Sequence, residues 1–148
     1  MSMAIGIDVD GVTANFVGAV CALLGIPEDG TYDDCSKACG GEDALWARIS
    51  GVGPAFHRVL LSPVHGAREG VAALMAEPRF DVWFVTSQPR RDQGCDTWVA
   101  DRTDWLVRTF GIHEDSIVFT RDKSGFHGDV LIDDYPHQLE QFERSQRS

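Results

Sequence analysis

Positive charge is scarce in this sequence, and long apolar segments are missing from it. Lysine and arginine number 13 against 23 aspartates and glutamates, so the 148-residue chain carries a formal net charge of −10. This excess disfavours a general nucleic-acid coat or an anionic membrane surface as the partner. No apolar run approaches the ~20 residues that a membrane-spanning helix needs. A phosphorylated substrate stays compatible with the charge, provided that a metal or local cations offset it.

Cysteine is also scarce, with four residues at positions 21, 35, 39 and 95. No signal peptide is expected, because the first predicted strand begins near residue 4. Reduced thiols and a cytoplasmic location are therefore predicted. The pair Cys35-x3-Cys39 supplies at most half of a zinc site, and no second pair at ligand spacing follows it.

Four short apolar segments, rich in β-branched and aromatic residues, predict β-strands. They are apolar on both faces, as in a parallel sheet covered by helices on both sides. Helical patterns at 66–77 and 103–111 lie between them, and 135–148 reads as a closing helix. The predicted strands are 4–9, 81–87, 116–120 and 129–133. Strands alternating with helices predict an α/β doubly wound fold.

Residues 15–63 interrupt this alternation with helical patches and a loop rich in Gly, Asp and Cys, but no convincing strand. We predict a single domain, 1–148, whose core comprises 1–14 and 64–148, with 15–63 as a small helical cap. The insertion follows the carboxyl end of the first strand. In open α/β sheets the ligand binds in the crevice at that end, so the cap is expected to cover the site.

Polar side chains follow all four predicted strands. Parallel strands point the same way, so these groups converge on one crevice. They are Asp8 and Asp10, Thr86 and Ser87, Lys123, and Asp133 and Asp134. Carboxylates so close repel each other unless a cation lies among them. Mg²⁺ suits such oxygens, and a lysine with hydroxyl donors suits a phosphoryl group.

The order and type of these residues resemble the haloacid dehalogenase-like (HAD) phosphatases, whose hallmark is a DxD motif after an apolar strand. Four segments are similar to successive blocks of the 5′(3′)-deoxyribonucleotidases, the cytosolic/mitochondrial type and its bacterial and phage relatives. They are "DVDGVTANF", "SPVHGAREGVAAL", "DVWFVTSQP" and "IVFTRDKSGFHGDVLIDDYPH". The resemblance spans residues 4 to about 137 except most of the cap. It implies a HAD-like, Rossmann-like sheet with strand order of about 3-2-1-4.

The resemblance also implies roles. Asp8 would attack phosphorus and form an aspartyl-phosphate, and Asp10 would protonate the leaving oxygen and later activate water. Thr86 and Ser87 would bind the phosphate, and Lys123 would neutralise its charge.

The same resemblance implies a Mg²⁺ site. The Asp8 carboxylate and the Asp10 backbone carbonyl would bind the ion, together with the acidic pair Asp133 and Asp134. Asp134 is favoured as the direct ligand with Asp133 supporting it, although the sequence leaves that choice open.

The predicted cap should select the substrate. Phe16 matches an aromatic position of the nucleotidases that packs beside the base. Trp46, Phe56 and His57 are candidates for base contacts, although Trp46 also suits the interior of the cap. Arg90 falls where the family has a lysine near the phosphate, and it suits either a substrate contact or a solvated loop.

The sequence thus predicts a Mg²⁺-dependent phosphatase for (deoxy)ribonucleoside monophosphates. A HAD phosphatase for another small ester, or for a nucleic-acid 3′-phosphate end, is the nearest alternative. A receiver-type phospho-acceptor domain has similar residues in a different order, and a non-catalytic binding domain would not need them all. The fourth strand is expected to be a sheet edge, since little chain follows it. Either the chain is a minimal version of the fold, or a partner, such as a second copy in a homodimer, covers that edge.

Overall fold

The structure is a computed structural model that describes residues 1–147. Four strands and six α-helices alternate along most of the chain. In chain order they are β1 (Met3–Ile7), α1 (Phe16–Leu24), α2 (Tyr32–Cys39), α3 (Glu42–Val52), α4 (Ala67–Ala76), β2 (Phe80–Thr86), α5 (Trp98–Phe110), β3 (Ile117–Phe119), β4 (Val130–Ile132) and α6 (Pro136–Arg147). A π-helical turn, Phe56–Leu60, follows α3, and single 3-10 turns lie at Arg91–Gln93, Glu114–Ser116 and Lys123–Gly125.

All strand pairs are parallel, and the sheet order is β3-β2-β1-β4. Ile5 on β1 lies opposite Val82 on β2 and Val130 on β4, which places β1 in the interior of the sheet. The predicted α/β class and strand order are confirmed. The charged and polar residues after β1, β2 and β4 therefore meet at one edge of the sheet.

The four predicted strands are confirmed. β1, β3 and β4 are shorter than the sequence indicated, and β2 begins and ends one residue earlier than predicted. β1 ends at Ile7 because the Val9 carbonyl accepts hydrogen bonds from the backbone N–H groups of Thr13 and Ala14, at 2.9 and 2.8 Å. This turn folds the chain away from the sheet immediately after the DxD motif. The closing helix is confirmed as α6, and the predicted final residue Ser148 lies outside the described residues.

Helix α5 begins at Trp98, five residues before its predicted start at 103. Trp98, Arg102, Trp105 and Leu106 are all buried on its inner face. The helical spacing of this set makes Arg102 part of the buried face. The sequence pattern did not predict the part of α5 before residue 103, because a buried arginine at position 102 was not expected on an apolar helix face.

Residues 15–63 contain α1, α2, α3 and the π-helical turn, with no strand. Local signals define their ends: the Asn15 side chain accepts a hydrogen bond from the N–H of Gly18, and Thr31 and Asp34 form a capping box on α2. Gly25 ends α1 with a positive φ of 68°. The chain enters this segment shortly after the carboxyl end of β1. The backbone N–H of Asn15 bonds to the carbonyl of Ser62 at 2.8 Å, so the two ends of the segment lie side by side there.

The two faces of the sheet carry hydrophobic clusters of different size. The larger cluster includes Ile5, Ile7 and Phe84 of the sheet together with α1, α3 and α5. The smaller one consists of Val85, Phe126, Leu131 and Phe142. Gly6, on β1, faces this smaller cluster, where an added Cβ would lie 2.5 Å from the Phe126 ring. That close approach explains a glycine in the interior of the sheet.

β4 forms one edge of the sheet, and its Val130 and Ile132 side chains are partly exposed. Within residues 1–147, no helix has both the length and the apolar character needed to cross a membrane.

Candidate active site

Lys123 lies between two buried carboxylates at the carboxyl end of the sheet. Its Nζ donates hydrogen bonds to Asp8 Oδ1 and Asp133 Oδ2, both at 2.5 Å. The Lys123, Asp8 and Asp133 side chains are only 4%, 11% and 0% exposed. Asp8 follows β1, Asp133 follows β4, and Lys123 opens a 3-10 turn after β3, so three connections at the carboxyl edge of the sheet build this cluster.

Burial raises the pKa of Asp8 to about 7; the charges of Asp133 and Asp10 add to this rise, and Lys123 opposes it. Asp8 and Asp133 share a single ammonium group, so one of their two negative charges has no countercharge when both are ionised. The arrangement calls for a further cation.

A candidate metal centre adjoins this cluster. Asp8, Asp133 and Asp134 each offer one carboxylate oxygen, and these oxygens all lie within 4.8 Å of one another. An all-oxygen donor set with excess negative charge fits a hard divalent cation such as Mg²⁺. Gly11 gives the Asp134 carboxylate room, because an added Cβ would lie 2.3 Å from Asp134 Oδ2.

The two aspartates after β4 differ in their surroundings: the Asp133 carboxylate is hydrogen-bonded through both oxygens, whereas Asp134 is exposed. Asp133 is bonded through Oδ2 to Lys123 and accepts the backbone N–H of Tyr135 on Oδ1, at 2.9 Å. Asp134 is exposed and lies over Gly11.

Asp10 is held by an arginine that the sequence analysis did not identify. Arg102 Nη2 donates to Asp10 Oδ1 at 2.7 Å, and Nη1 donates to Asp10 Oδ2 at 2.9 Å. Nη1 also donates to Thr86 Oγ1 at 2.9 Å. The Arg102 side chain is fully buried, whereas the Asp10 side chain is about one-third exposed. A charged residue on the apolar face of α5 was the signal in the sequence that could have found it.

Arg102 has two further partners. Its Nε donates to His57 Nε2 at 3.3 Å, and its guanidinium carbon lies 4.6 Å from the centre of the Trp98 ring. Burial, together with the charge of Arg102, lowers the pKa of His57 to about 3, so His57 is neutral and can accept this bond. Hydrogen-bond acceptors and a π face together compensate the buried cation.

A cavity of about 410 Å³ opens between the helices of 15–63 and the loop after β2, with Asp10 in its wall. One side is aromatic and the other polar. The aromatic side consists of Phe16, Tyr32, Trp46 and Trp98, and the polar side of Glu42, Ser87, Gln88, Pro89, Arg90, Gln93 and Arg121.

The aromatic side is a packed unit. The Phe16 and Trp46 rings stack at 5.8 Å between centroids, and the Trp46 ring meets Trp98 edge-on at 5.2 Å. Trp46 Nε1 donates to the Tyr32 hydroxyl at 3.2 Å, which donates to Glu42 at 3.1 Å. Flat apolar rings beside a few fixed polar groups suit a planar ligand.

The predicted substrate contacts fall into two groups. Phe16, Trp46 and Arg90 line the cavity, and Arg90 also forms ion pairs with Asp43 and Asp92. The second group consists of Phe56 and His57, which do not line the cavity.

The structure does not bring Phe56 and His57 to the cavity wall. They are 1% and 2% exposed and pack against Trp98, Phe56 at 5.8 Å and His57 at 4.7 Å between ring centroids. The π-helical turn points both rings inward, so they support the cavity from behind.

Thr86 and Ser87 are also placed differently from each other. Thr86 is buried at the end of β2, where its hydroxyl accepts from Arg102 and donates to the Ser87 carbonyl at 3.3 Å. Ser87 is exposed and lines the cavity. Thr86 and Ser87 therefore connect the buried Arg102 to the cavity.

The parallel sheet, with aspartates and a lysine gathered at its carboxyl edge, defines an α/β protein with a candidate metal and phosphate site. Residues 2–147 match the family described as "5' nucleotidase, deoxy (Pyrimidine), cytosolic type C protein", and the chain belongs to that family. It is thus a nucleotidase, a hydrolase of phosphoric monoesters. This confirms the resemblance that the sequence motifs indicated. A search of curated protein sequences gives no significant match to this chain.

Among solved structures, similarity is found to a HAD family hydrolase from Deinococcus radiodurans R1 with bound phosphate and sodium. The two chains are 20% identical with a TM-score of 0.41, over 98% of this chain and 68% of the other. A HAD-superfamily hydrolase, subfamily IA, variant 1, from Geobacter sulfurreducens PCA is 13% identical with a TM-score of 0.38, over 95% of this chain and 96% of the other.

Proposed function

We propose that this nucleotidase is Mg²⁺-dependent and hydrolyses nucleoside monophosphates, deoxyribonucleotides foremost, through an aspartyl-phosphate intermediate. The observation that carries the proposal is the arrangement of the two DxD carboxylates. Asp8 is buried against Lys123, whereas Asp10 is held by Arg102 at the wall of an aromatic cavity. Two neighbouring carboxylates in different surroundings suit two different tasks.

Asp8 is the proposed nucleophile. Its oxygen attacks phosphorus, and the bond between phosphorus and the nucleoside oxygen breaks. Lys123 bonds only one oxygen of Asp8, which leaves the other available for attack. The same ammonium stays close to the transferred group and offsets its negative charge.

Asp10 is the proposed general acid and base. It gives a proton to the nucleoside oxygen as the first bond breaks, and then takes a proton from the water that hydrolyses the aspartyl-phosphate. Its position in the cavity wall and its partial exposure give it access to both the leaving group and water. Thr86 and Ser87, at the end of β2, are the proposed hydroxyl and backbone contacts to the phosphate.

The acidic cluster supports a Mg²⁺ site formed by the Asp8 carboxylate, the Asp10 backbone carbonyl and Asp134. We favour Asp134 as the direct ligand, since both oxygens of Asp133 are already engaged by Lys123 and Tyr135. When bound, the ion would neutralise and orient the phosphate. Asp133 would then hold Lys123 in place.

The aromatic side of the cavity supports a nucleobase as the part of the substrate remote from the phosphate. Phe16 and Trp46 present stacked rings, and Tyr32 and Glu42 supply a polar edge. Burial raises the pKa of Tyr32 to about 12, so its hydroxyl keeps its proton. A cytoplasmic location belongs to the same proposal, supported by the four free cysteines and by the cytosolic type named for the family.

One assay tests the proposal. Purified protein is supplied with Mg²⁺ or EDTA and offered dNMPs, rNMPs, 3′-nucleotides, sugar phosphates, a 3′-phosphorylated oligonucleotide and p-nitrophenyl phosphate. We expect Mg²⁺-dependent phosphate release, fastest from deoxynucleotides. Hydrolysis of the aryl ester without release from any nucleoside monophosphate would overturn the substrate assignment, and full activity in EDTA would overturn the metal assignment.

A further inference from the structure

Arg102 connects more parts of this site than any other described side chain. It reaches Asp10 after β1, Thr86 at the end of β2, and His57 in the π-helical turn, all from α5. It also lies over the ring of Trp98, which lines the cavity. None of the sequence motifs includes this residue.

A buried guanidinium is costly, and its surroundings show that the cost is met by fixed partners. Burying an ion is unfavourable unless it is paired and its N–H groups are satisfied. Arg102 is fully buried, and its partners provide one carboxylate, one hydroxyl, one neutral imidazole and one indole face. Apolar residues fill the rest of this face of α5, so packing alone would be better served by leucine or methionine.

The geometry of the Asp10 pair limits where its carboxylate can point. Two parallel N–H···O bonds of 2.7 and 2.9 Å join a planar guanidinium to both carboxylate oxygens. Such a bidentate pair fixes orientation as well as distance. Without it, a partly exposed aspartate side chain would sample other rotamers and spend less time directed toward the cavity.

The same guanidinium determines how the Thr86 hydroxyl is directed. Because Thr86 Oγ1 accepts from Arg102, its own hydrogen must point elsewhere, and here it points to the Ser87 carbonyl. One arginine thereby aligns the group assigned to proton transfer and the group assigned to phosphate contact, on two adjacent strands.

We infer that Arg102 is a positioning residue that holds the Asp10 carboxylate and the Thr86 hydroxyl in their working orientations. This inference rests on the proposed function. In the first step the proton passes from Asp10 to the nucleoside oxygen as the bond to phosphorus breaks, and Arg102 keeps its own protons throughout. Asp10 enters this step with a proton taken from solvent on one oxygen, which has left its bond to Arg102, while the other oxygen remains bonded and keeps the carboxyl group in place.

The leaving group distinguishes positioning from mere structural support. A nucleoside alkoxide needs a proton in order to leave, whereas p-nitrophenolate leaves without one. Protonation of the leaving group belongs to the first step, whereas activation of water by Asp10 in the second step is common to both substrates. A change that misplaces Asp10 should therefore lower kcat/KM, which reports the first step, far more for a nucleotide than for p-nitrophenyl phosphate. A change that only loosens the fold should slow both alike.

The experiment compares Arg102→Met and Arg102→Lys with the wild type on a dNMP and on p-nitrophenyl phosphate. We expect Arg102→Met to lower kcat/KM for the nucleotide about 100-fold and to lower kcat/KM for the aryl ester by a much smaller factor. Any loss that comes through Thr86 affects both substrates alike and cancels in the ratio. Arg108→Met is the matched control, since Arg108 lies on the same helix and pairs with Asp104 at the surface. It should leave the ratio of the two kcat/KM values at its wild-type level.

Arg102→Lys decides the case if Arg102→Met does not fold. A single ammonium cannot reproduce the fork that bonds both oxygens of Asp10, so we expect an intermediate fall in the nucleotide-to-aryl ratio of kcat/KM. An unchanged ratio in the folded variant would overturn the inference. The wild-type enzyme reports separately on the proposed function, because hydrolysis of p-nitrophenyl phosphate without hydrolysis of nucleotides contradicts that function whatever the variants do.

Discussion

Gly11 has two independent reasons to be glycine. Its φ of 82° lies in the left-handed region, which strains other residues, and an added Cβ would lie 2.3 Å from Asp134 Oδ2. Any side chain here must displace the Asp134 carboxylate from its position. The residue after the DxD motif therefore bears on the proposed metal site as well as on the turn.

We predict that Gly11→Ala weakens Mg²⁺ activation, raising the Mg²⁺ concentration for half-maximal activity at least about tenfold, equivalent to about 1.4 kcal/mol. Titration of activity with Mg²⁺ measures it. Gly51→Ala is the matched control, because Gly51 lies within α3 with nothing near its added Cβ. That variant should keep the wild-type titration and gain about 0.5–1 kcal/mol of stability. A wild-type titration for Gly11→Ala would contradict a role for Asp134 in binding the ion.

Asp8→Asn should abolish turnover while preserving the fold, because an amide oxygen is a poor nucleophile and the side-chain volume is unchanged. Phosphate release measures the loss, and mass spectrometry of rapidly quenched wild-type enzyme should find a phosphoryl group on the peptide that contains Asp8. Retained turnover in Asp8→Asn, with its circular dichroism unchanged, would show that another group attacks phosphorus.

At the scale of secondary-structure elements, the π-helical turn Phe56–Leu60 has a structural role. It buries a neutral His57 against Arg102 and Trp98. Since the pKa of His57 is lowered to about 3 in the folded protein, the unfolded chain binds a proton there that the native state does not. The stability provided by neutral His57 is fully present above about pH 6.5 and is lost as the pH falls toward 3.

We therefore predict that His57→Gln flattens the decline in unfolding free energy between about pH 6.5 and 3. A glutamine oxygen can still accept from Arg102 but does not titrate. The difference in slope should approach about 1.4 kcal/mol per pH unit. Urea unfolding at a series of pH values measures it, with the exposed His65→Gln as control. Equal slopes for wild type and His57→Gln would show that His57 is protonated in the folded protein.

Helix α2 depends on its capping box. Thr31 accepts from the Asp34 N–H at 3.2 Å, and Asp34 accepts from the Thr31 N–H at 2.9 Å. Only Cys35 of this helix is buried, so packing contributes little to its stability. We expect Thr31→Ala to cost about 1 kcal/mol of unfolding free energy and Thr31→Ser to cost less, as measured by urea unfolding. No loss in Thr31→Ala would mean that the box does not hold α2.

These elements show what could be predicted from sequence and why. Apolar runs revealed the strands, and carboxylates, a lysine and hydroxyls at strand ends converged because parallel strands share a direction. The role of Arg102 was not predicted because its compensating partner, Asp10, lies 92 positions away along the chain. No local sequence pattern reveals a pairing over such a distance. The inward direction of Phe56 and His57 depends on the π-helical turn, which periodicity does not reveal.

For the molecule as a whole, the charge distribution contrasts with the net charge of −10. A second cavity of about 400 Å³ adjoins the first and shares Arg90 and Arg121 with it, and Arg91 lines it too. Within the described chain, neither Arg91 nor Arg121 forms an ion pair, although Arg121 donates to the Pro89 carbonyl at 3.5 Å. Asp96 also lines the second cavity, but Arg90, Arg91 and Arg121 outnumber it and form a positive rim there. This rim would guide an anionic substrate to the entrance of an otherwise acidic protein.

We predict that Arg91→Glu and Arg121→Glu each lower kcat/KM for a nucleotide by about two- to fivefold at low salt. This range corresponds to exposed charges worth about 0.2–1 kcal/mol. Arg68→Glu is the matched control, since Arg68 is exposed, lines neither cavity, and makes the same change in net charge. The effect should shrink as ionic strength rises and screening shortens the reach of the field. An equal loss in Arg68→Glu would show that the effect comes from net charge and would contradict a role for the rim. A loss that is confined to the rim variants and fades with salt would support that role.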